Sequence, residues 1–310
     1  MKIAILGAGA MGSIYGARLK KGGADVTLLD VNDAHIDAIN TNGLHISIDE
    51  GNSTVHLPAM RPEDCHTPVD LILLFTKTFH TDAALASVKN ILKGTAVLSL
   101  QNGIGNVERI SAHVPKEGIL VGMTMTPAEF IGPGRVASHG AASTSLYGVD
   151  GNEHPILKDI IDVMSKGGID AKADPNIDIA IWEKATFNCT ANSLCALSGA
   201  TPGAIGVSEK GRILAKQVAQ EVINVAQASG TNASLERVMA LLEHAFSHHL
   251  HHEPSMLQDR NAARRTEIDA LNGAVVKMGD VLNVPVETNR ILSNLIALME
   301  DSAVFRAKHS

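Results

Sequence analysis

"KIAILGAGAMGSIYGARLKKGGADVTLLD", residues 2 to 30, decides the fold. KIAIL (2 to 6) is a short continuous apolar run, as expected of a strand buried on both faces. The stretch from Met11 to Gly23 has helical character, and DVTLLD (25 to 30) is a second strand. Between the first strand and the helix stand Gly7, Gly9 and Gly12 in G-x-G-x-x-G spacing, with Ala10 and Met11 inside the motif. The spacing alone is a weak signal, but in this setting each glycine has a task. Gly7 makes the tight turn, Gly9 lets the backbone approach a diphosphate, and Gly12 lets the helix pack on the strand. The unpaired N–H groups and positive dipole end of the helix suit an anion. Asp30 ends the second strand where a dinucleotide-binding fold needs an acid for the adenosine ribose hydroxyls. A carboxylate there repels a 2′-phosphate and no Arg follows in DVNDAH, so NAD(H) is favoured over NADP(H). The alternative for Asp30 is an ordinary strand-terminal turn residue.

Outward from this unit the rhythm continues. LILLFT (71 to 76), TAVLSL (95 to 100) and ILVGMT (119 to 124) read as further buried strands, and TDAALASVKNILKG (81 to 94) as a helix between two of them. Alternating strands and helices imply right-handed crossovers and a parallel sheet. GRVASHGAASTSLYGVD (134 to 150) is Gly- and Ser-rich and suggests antiparallel edge strands; after Pro175 the pattern is helical. The expectation is an α/β fold with an N-terminal Rossmann-type dinucleotide-binding domain over 1–174 and an all-α substrate or catalytic domain over 175–310.

Composition restricts the function classes. The 310 residues are 45% hydrophobic and 19% charged, a well-packed globular balance, with formal net charge −7. That charge and the lack of a basic stretch argue against a nucleic-acid partner. No window approaches the roughly 18 apolar residues of a membrane span. Cys65, Cys189 and Cys195 are too few for a disulfide framework and form no Cys-x-x-Cys pair, so reduced thiols and a cytoplasmic location are expected.

WEKATFNCTANSLCAL (182 to 197) sets Lys184, Asn188 and Asn192 four residues apart on a helix, which returns them to one face. An ammonium and two amides cost several kcal/mol to bury unpaired, so the ridge is either wet surface or the wall of a substrate cleft. The greasy residues around it, Trp182, Phe187, Leu194 and Leu197, favour a mostly enclosed helix.

With GAGAMG, LQNGIGN (100 to 106), WEKATFNCTANSLCAL and EPSMLQDRNAARRTEIDALNG (253 to 273), the chain resembles the ketopantoate reductases and the related NAD-dependent D-2-hydroxyacid dehydrogenases of the D-mandelate type, over residues 1 to about 300. The resemblance implies that Lys184 is the general acid protonating a 2-oxo oxygen, paired with Glu267. It implies that Asn188, Asn192 and Ser255 hold the substrate, that Asn102 lies beside nicotinamide and substrate, and that Lys77 lies near the cofactor. A lysine suits the acid role because arginine does not release its proton near neutral pH. The residues alone leave other readings open: Glu267 as a surface acid beside Arg264 and Arg265, Ser255 as an N-cap, and Asn102 as a turn residue. His252 stands where many members carry a substrate-contacting asparagine, which points to a substrate-binding role and to another 2-oxo acid as a possible substrate. Asp30 stands where NADPH users tend to have an arginine, although NADP(H) stays possible by resemblance.

The implied activity is reduction of a 2-oxo acid to the D-2-hydroxy acid between the domains, ketopantoate first, another D-2-hydroxy acid as the alternative. A non-catalytic NADH sensor is the rival from another class; it would not need the Lys184 and Glu267 pair. A homodimer is expected from the family and the apolar C-terminal helices. His244, His248, His249, His251 and His252 contain i, i+4 pairs that could clamp a metal, but no carboxylate sits between them as in a zinc protease, and no metal is expected.

Overall fold

The structure is a computed structural model that describes residues 1–248 and 250–309. They form two compact units: Met1–Gln101 with Asn106–Ile177, and Asn102–Gly105 with Asp178–Ser310. The loop after the strand at 96–99 therefore clusters with the helical residues.

The first unit contains the strands β1 (Lys2–Leu6), β2 (Asp25–Leu29), β3 (Leu44–Ile48), β4 (Gly51–Val55), β5 (Ala59–Met60), β6 (Leu71–Leu74), β7 (Ala96–Ser99), β8 (Ile119–Thr124), β9 (Glu129–Gly132), β10 (Arg135–Ser138), β11 (Ser143–Gly148) and β12 (Asp170–Ala173). Its helices are α1 (Ala10–Lys21), α2 (Asp33–Asn42), α3 (Thr81–Ser87), α4 (Lys89–Leu92), α5 (Asn106–Ser111) and α6 (Leu157–Lys166). The main sheet runs β12-β11-β8-β7-β6-β1-β2-β5. From β5 to β8 every pairing is parallel. β6 and β7 are buried at every position, as the continuous runs LILL and AVLS require when both faces are covered. Because the strands are parallel, the turns after β1, β2 and β6 leave by the same edge of the sheet.

The α/β class and parallel sheet hold, with two local differences. The Gly- and Ser-rich run is divided: β11 pairs antiparallel with β8 in the main sheet, while β10 belongs to a second sheet ordered β4-β3-β10-β9 and pairs parallel with β3. The stretch expected to be one helix from 81 to 94 is broken at Val88, whose φ of −103° and ψ of 17° leave the helical region. There the Val88 N–H closes on the Leu85 carbonyl (3.3 Å), an i to i−3 bond that tightens the turn.

The second unit is helical: α7 (Ile177–Ser198), α8 (Pro202–Val207), α9 (Glu209–Ala228), α10 (Leu235–His248), α11 (Ser255–Asn261), α12 (Asn272–Leu282) and α13 (Glu287–His309). Its core joins Trp182, Cys189 and Cys195 of α7 to Val218, Val222 and Ala226 of α9, Leu242 and Phe246 of α10, and Val275 of α12. A buried polar knot aligns these helices. The Asn272 amide donates to the Cys189 carbonyl (3.0 Å) and to Asn289 Oδ1 (2.9 Å), and Glu221 accepts from the backbone N–H groups of Thr288 and Asn289 at the start of α13. The three cysteines are buried and free. Among the described residues no helix is long and apolar enough to cross a membrane.

Candidate active site

In the first unit the glycine loop follows β1 and ends in α1. Gly7 has φ +95° and its N–H donates to the Leu29 carbonyl (2.9 Å); a Cβ on it would lie 2.7 Å from the Thr76 nitrogen. At Gly12 a Cβ would lie 2.0 Å from the Gly7 carbonyl oxygen, so helix and loop touch backbone to backbone. Gly9 is different: it caps α1, is exposed, and a Cβ there would meet nothing within 4 Å. The first turn of α1, which begins at Ala10 and Met11, carries no acidic residue and no capping side chain. Its N–H groups and dipole end thus have nothing of phosphate's sign among them, and the space in front of Gly9 is clear of protein atoms. A diphosphate fits this donor set.

Asp30, half-buried after β2, accepts from the backbone N–H groups of Val31 (2.8 Å) and Asn32 (3.0 Å), both at Oδ1. This is a turn contact, and it leaves Oδ2 for a sugar hydroxyl. Lys77 is half-buried after β6, just before the short 3-10 turn Thr78–His80. One residue that matters here has no signature in sequence: His35, fully buried on α2, whose Nε2 lies 2.8 Å from the carbonyl oxygen of Ala8 inside the loop. A recess of 470 Å³ elsewhere in this unit is lined by Asp70, Asp159 and Asp162 together with Lys166, and by no residue of the glycine loop.

In the second unit α7 carries the polar ridge. Most of its hydroxyls are satisfied inside the helix: Thr186 donates to the Trp182 carbonyl, Thr190 to Thr186, Ser193 to Cys189, and Ser198 to Leu194. Lys184, Asn188 and Asn192 follow one another at four-residue spacing along one face of the same helix. Asn188 and Asn192 are buried and Lys184 is half-buried. Glu183, next to the lysine, is committed elsewhere, accepting from the Ser234 N–H (2.9 Å) and from the Arg237 guanidinium.

A narrow recess is lined by Asn102, Asn192, Ser255, Met256, Asp259, Glu267 and Leu271. Asn102 is drawn in by its neighbours. Gly103, at φ +88°, sits so close to the turn Ile268–Ala270 that a Cβ would lie 2.5 Å from the Ala270 carbonyl oxygen, and that oxygen accepts from the Ile104 N–H (2.8 Å). Glu267 immediately precedes this turn and is half-buried. The arginines beside it bond to other acids, Arg264 to Asp259 (3.1 Å) and Arg265 to Asp269 (2.9 Å). Ser255 is the first residue of α11, whose cap position is Pro254, and its hydroxyl is met by the Asn192 amide at 3.5 Å. Desolvation pulls the Lys184 amine from its usual range down to about 8, with Glu267 pulling the other way. Asp259, Met256 and Leu271 also line the recess, and no spacing in the sequence marks them.

Not every candidate is gathered here. His252 is exposed beyond α10. His244 and His248 stack on one another at 4.2 Å, with His248 Nδ1 against the His244 carbonyl, and His249 lies outside the described residues. Among the described residues no group of three or more His, Cys, Asp or Glu could hold a metal.

Comparison with known proteins agrees over both units. Residues 3–150 match the family described as ketopantoate reductase PanE/ApbA, and residues 176–300 match its C-terminal counterpart. A 2-dehydropantoate 2-reductase of Streptococcus pyogenes is 36% identical over 302 residues, covering 97% of this chain and 98% of that protein. One of Lactococcus lactis is 34% identical, covering 97% and 98%. Among solved structures, the ternary complex of a D-mandelate dehydrogenase with NADH and anilino(oxo)acetate superposes with TM-score 0.93 at 33% identity, covering 98% of this chain and 99% of that one. The chain belongs to the ketopantoate reductase PanE/ApbA family of NAD(P)-dependent oxidoreductases.

Proposed function

We propose that the protein reduces a 2-oxo acid to the D-2-hydroxy acid, with ketopantoate as the first substrate, and that it uses NADH. The observation that carries this reading is the Lys184 amine, brought by burial to about 8 against the pull of Glu267, on the same helix face as two buried amides. When bound, the dihydronicotinamide supplies the hydride. Lys184 supplies what reduction of a carbonyl also needs, a proton for the oxygen as negative charge builds on it. With its pKa near 8 it is mostly ammonium at pH 7, yet gives up its proton far more readily than an exposed lysine. Asn188, Asn192 and Ser255 hold the substrate, their neutral donors able to fix a carboxylate without competing for the transferred proton, and Asn102 completes the set. Glu267 holds the ammonium in place and raises its proton affinity. Gly7, Gly9, Ala10, Met11 and Gly12 bind the diphosphate, Asp30 the adenosine ribose, and Lys77 the cofactor. A relative's structure with bound NADH supports this coenzyme, as does the carboxylate of Asp30.

A second reading, a D-2-hydroxyacid dehydrogenase for a bulkier 2-oxo acid, is supported by the D-mandelate dehydrogenase superposition and by His252, which we propose contacts substrate in place of an asparagine. Assaying ketopantoate, benzoylformate and other 2-oxo acids with NADH and with NADPH tests both. Turnover of ketopantoate with the highest kcat/KM is expected; preference for benzoylformate selects the second reading, and inactivity across the panel overturns both.

We also propose a homodimer in the cytoplasm. On α13, Ile291, Leu295, Leu298 and Phe305 are exposed large apolar residues at heptad-like spacing, a stripe that a second copy can cover. Light scattering that returns the mass of one chain would exclude it.

A further inference from the structure

The imidazole of His35 has both nitrogens engaged, and its partners dictate its tautomer. The backbone N–H of Gly134, between β9 and β10, donates to Nδ1 at 2.9 Å. A backbone N–H can only donate, so Nδ1 carries no proton and Nε2 carries it. Nε2 lies 2.8 Å from the Ala8 carbonyl oxygen and 3.2 Å from Ser13 Oγ. Ser13 spends its own proton on the same Ala8 carbonyl at 2.7 Å. His35 and Ser13 are both fully buried, and burial lowers the imidazole's pKa, in keeping with a neutral ring; the Ala8 carbonyl and the Asp30 carboxylate pull the other way. A glycine is needed at 134, where φ is +69° and a Cβ would lie 2.9 Å from the Ala38 Cβ.

The consequence lies one peptide away. Ala8 joins Gly7 to Gly9 in the glycine loop, and no peptide bond among the described residues is cis. In a planar trans peptide the C=O and the following N–H point in opposite directions. Two buried donors hold the Ala8 carbonyl inward, so the Gly9 N–H is turned outward, at an exposed residue where a Cβ would touch nothing. We propose that His35 and Ser13 are positioning residues for the coenzyme: by clamping the Ala8 carbonyl they prevent a peptide flip that would present an oxygen, in place of the Gly9 N–H, to the diphosphate. This rests on the coenzyme reading above and adds to it the part of the chain that sets the polarity of the phosphate site.

The test uses the full-length protein and two probes, ADP-ribose, which has the diphosphate, and adenosine, which lacks it. Affinities are measured by calorimetry or ligand-observed NMR. His35→Phe, which keeps a ring and loses both nitrogens, is expected to weaken ADP-ribose at least tenfold while leaving adenosine within twofold. His35→Gln, which retains a donor and an acceptor, restores most of the loss. Ser13→Ala, which removes one of the two donors, gives a smaller loss of the same kind. Imidazole 15N shifts at pH 7 are expected to report the Nε2–H tautomer. Equal weakening of both probes, unchanged ADP-ribose affinity in His35→Phe and Ser13→Ala, or the opposite tautomer overturns the clamp. A wild-type protein that binds neither ADP-ribose nor NADH overturns the coenzyme reading itself, whereas wild-type binding with unaltered variants overturns the clamp alone.

Discussion

In the first unit the groups offered to a ligand are backbone N–H groups at the start of α1, and the residues around them are glycine and alanine, so that nothing stands in front of the peptide. In the second unit the backbone of α7 is spent inside the helix and the offered groups are side chains, Lys184, Asn188 and Asn192, on a helix whose hydroxyls bond back to its own carbonyls. A site made of backbone tolerates no added atom; a site made of side chains tolerates atoms but not a change of chemistry. The two should therefore fail in opposite ways when mutated.

Lys184→Ala gives the largest effect. Turnover in saturating coenzyme and 2-oxo acid is expected to drop by about 10³-fold, the scale of a lost general acid, with NADH affinity unchanged. Near-normal turnover would mean that the chemistry does not need this amine. Next comes a pair within the glycine loop. Gly12→Ala puts a methyl 2.0 Å from the Gly7 carbonyl oxygen and should destabilise the protein by about 1–3 kcal/mol while weakening NADH. Gly9→Ala meets no protein atom, and its φ of −60° suits alanine, so it should melt like wild type. Any loss of NADH affinity in Gly9→Ala then reports the ligand's own closeness to the backbone, and unaltered affinity would place the diphosphate elsewhere.

The same contrast explains what could be read before the fold was known. Glycine spacing after an apolar run is visible because steric necessity leaves a mark on residue type, and Gly7 and Gly12 stand where close backbone contacts demand them. Lys184, Asn188 and Asn192 leave only a periodicity, which says that a face is polar but not what it faces; their suggested roles came from resemblance. His35 left no mark, since a histidine two residues past a helix start looks like any surface residue until the hairpin carrying Gly134 closes on it. That hairpin belongs to the second sheet, where β3 alternates buried Leu44 and Ile46 with polar residues and β4 is polar and exposed, without the long apolar runs of the main sheet. The recess fails to show for a related reason. Asn102 joins Glu267 only because Gly103 and Ile104 dock on Ala270, a contact more than 160 residues apart in the chain.

Asp30→Asn separates charge from geometry in the first unit. The amide oxygen can keep the turn contacts to Val31 and Asn32, while the charge that opposes a 2′-phosphate is lost. The ratio of NADPH to NADH affinities is expected to rise by about tenfold, a modest share of a charged contact's worth. An unchanged ratio would assign coenzyme choice to another residue.

The smallest effect is the most informative about the second unit. Reduction needs Lys184 protonated, so with its pKa near 8 the rate should fall as pH rises through that value, while the reverse oxidation, which needs the free amine, should gain. Glu267 opposes the desolvation that lowers this pKa. In Glu267→Gln the opposition is gone, the amine loses its proton at lower pH, and the alkaline limb of the reduction profile moves toward acid. An alkaline limb that stays where it was would mean that the carboxylate does not act on this amine. Stability offers an independent check with its own sign. Between about 8 and the ordinary 10.5 the unfolded chain holds a proton on Lys184 that the folded chain lacks, so unfolding free energy should climb with pH across that window, by up to about 1.4 kcal/mol per unit. Lys184→Met should remove this slope and be the more stable protein below pH 8, which chemical denaturation at pH 7 and pH 10 can measure. If wild type and Lys184→Met show the same slope, the lysine is hydrated like a surface residue, and burial does not prepare it for proton transfer.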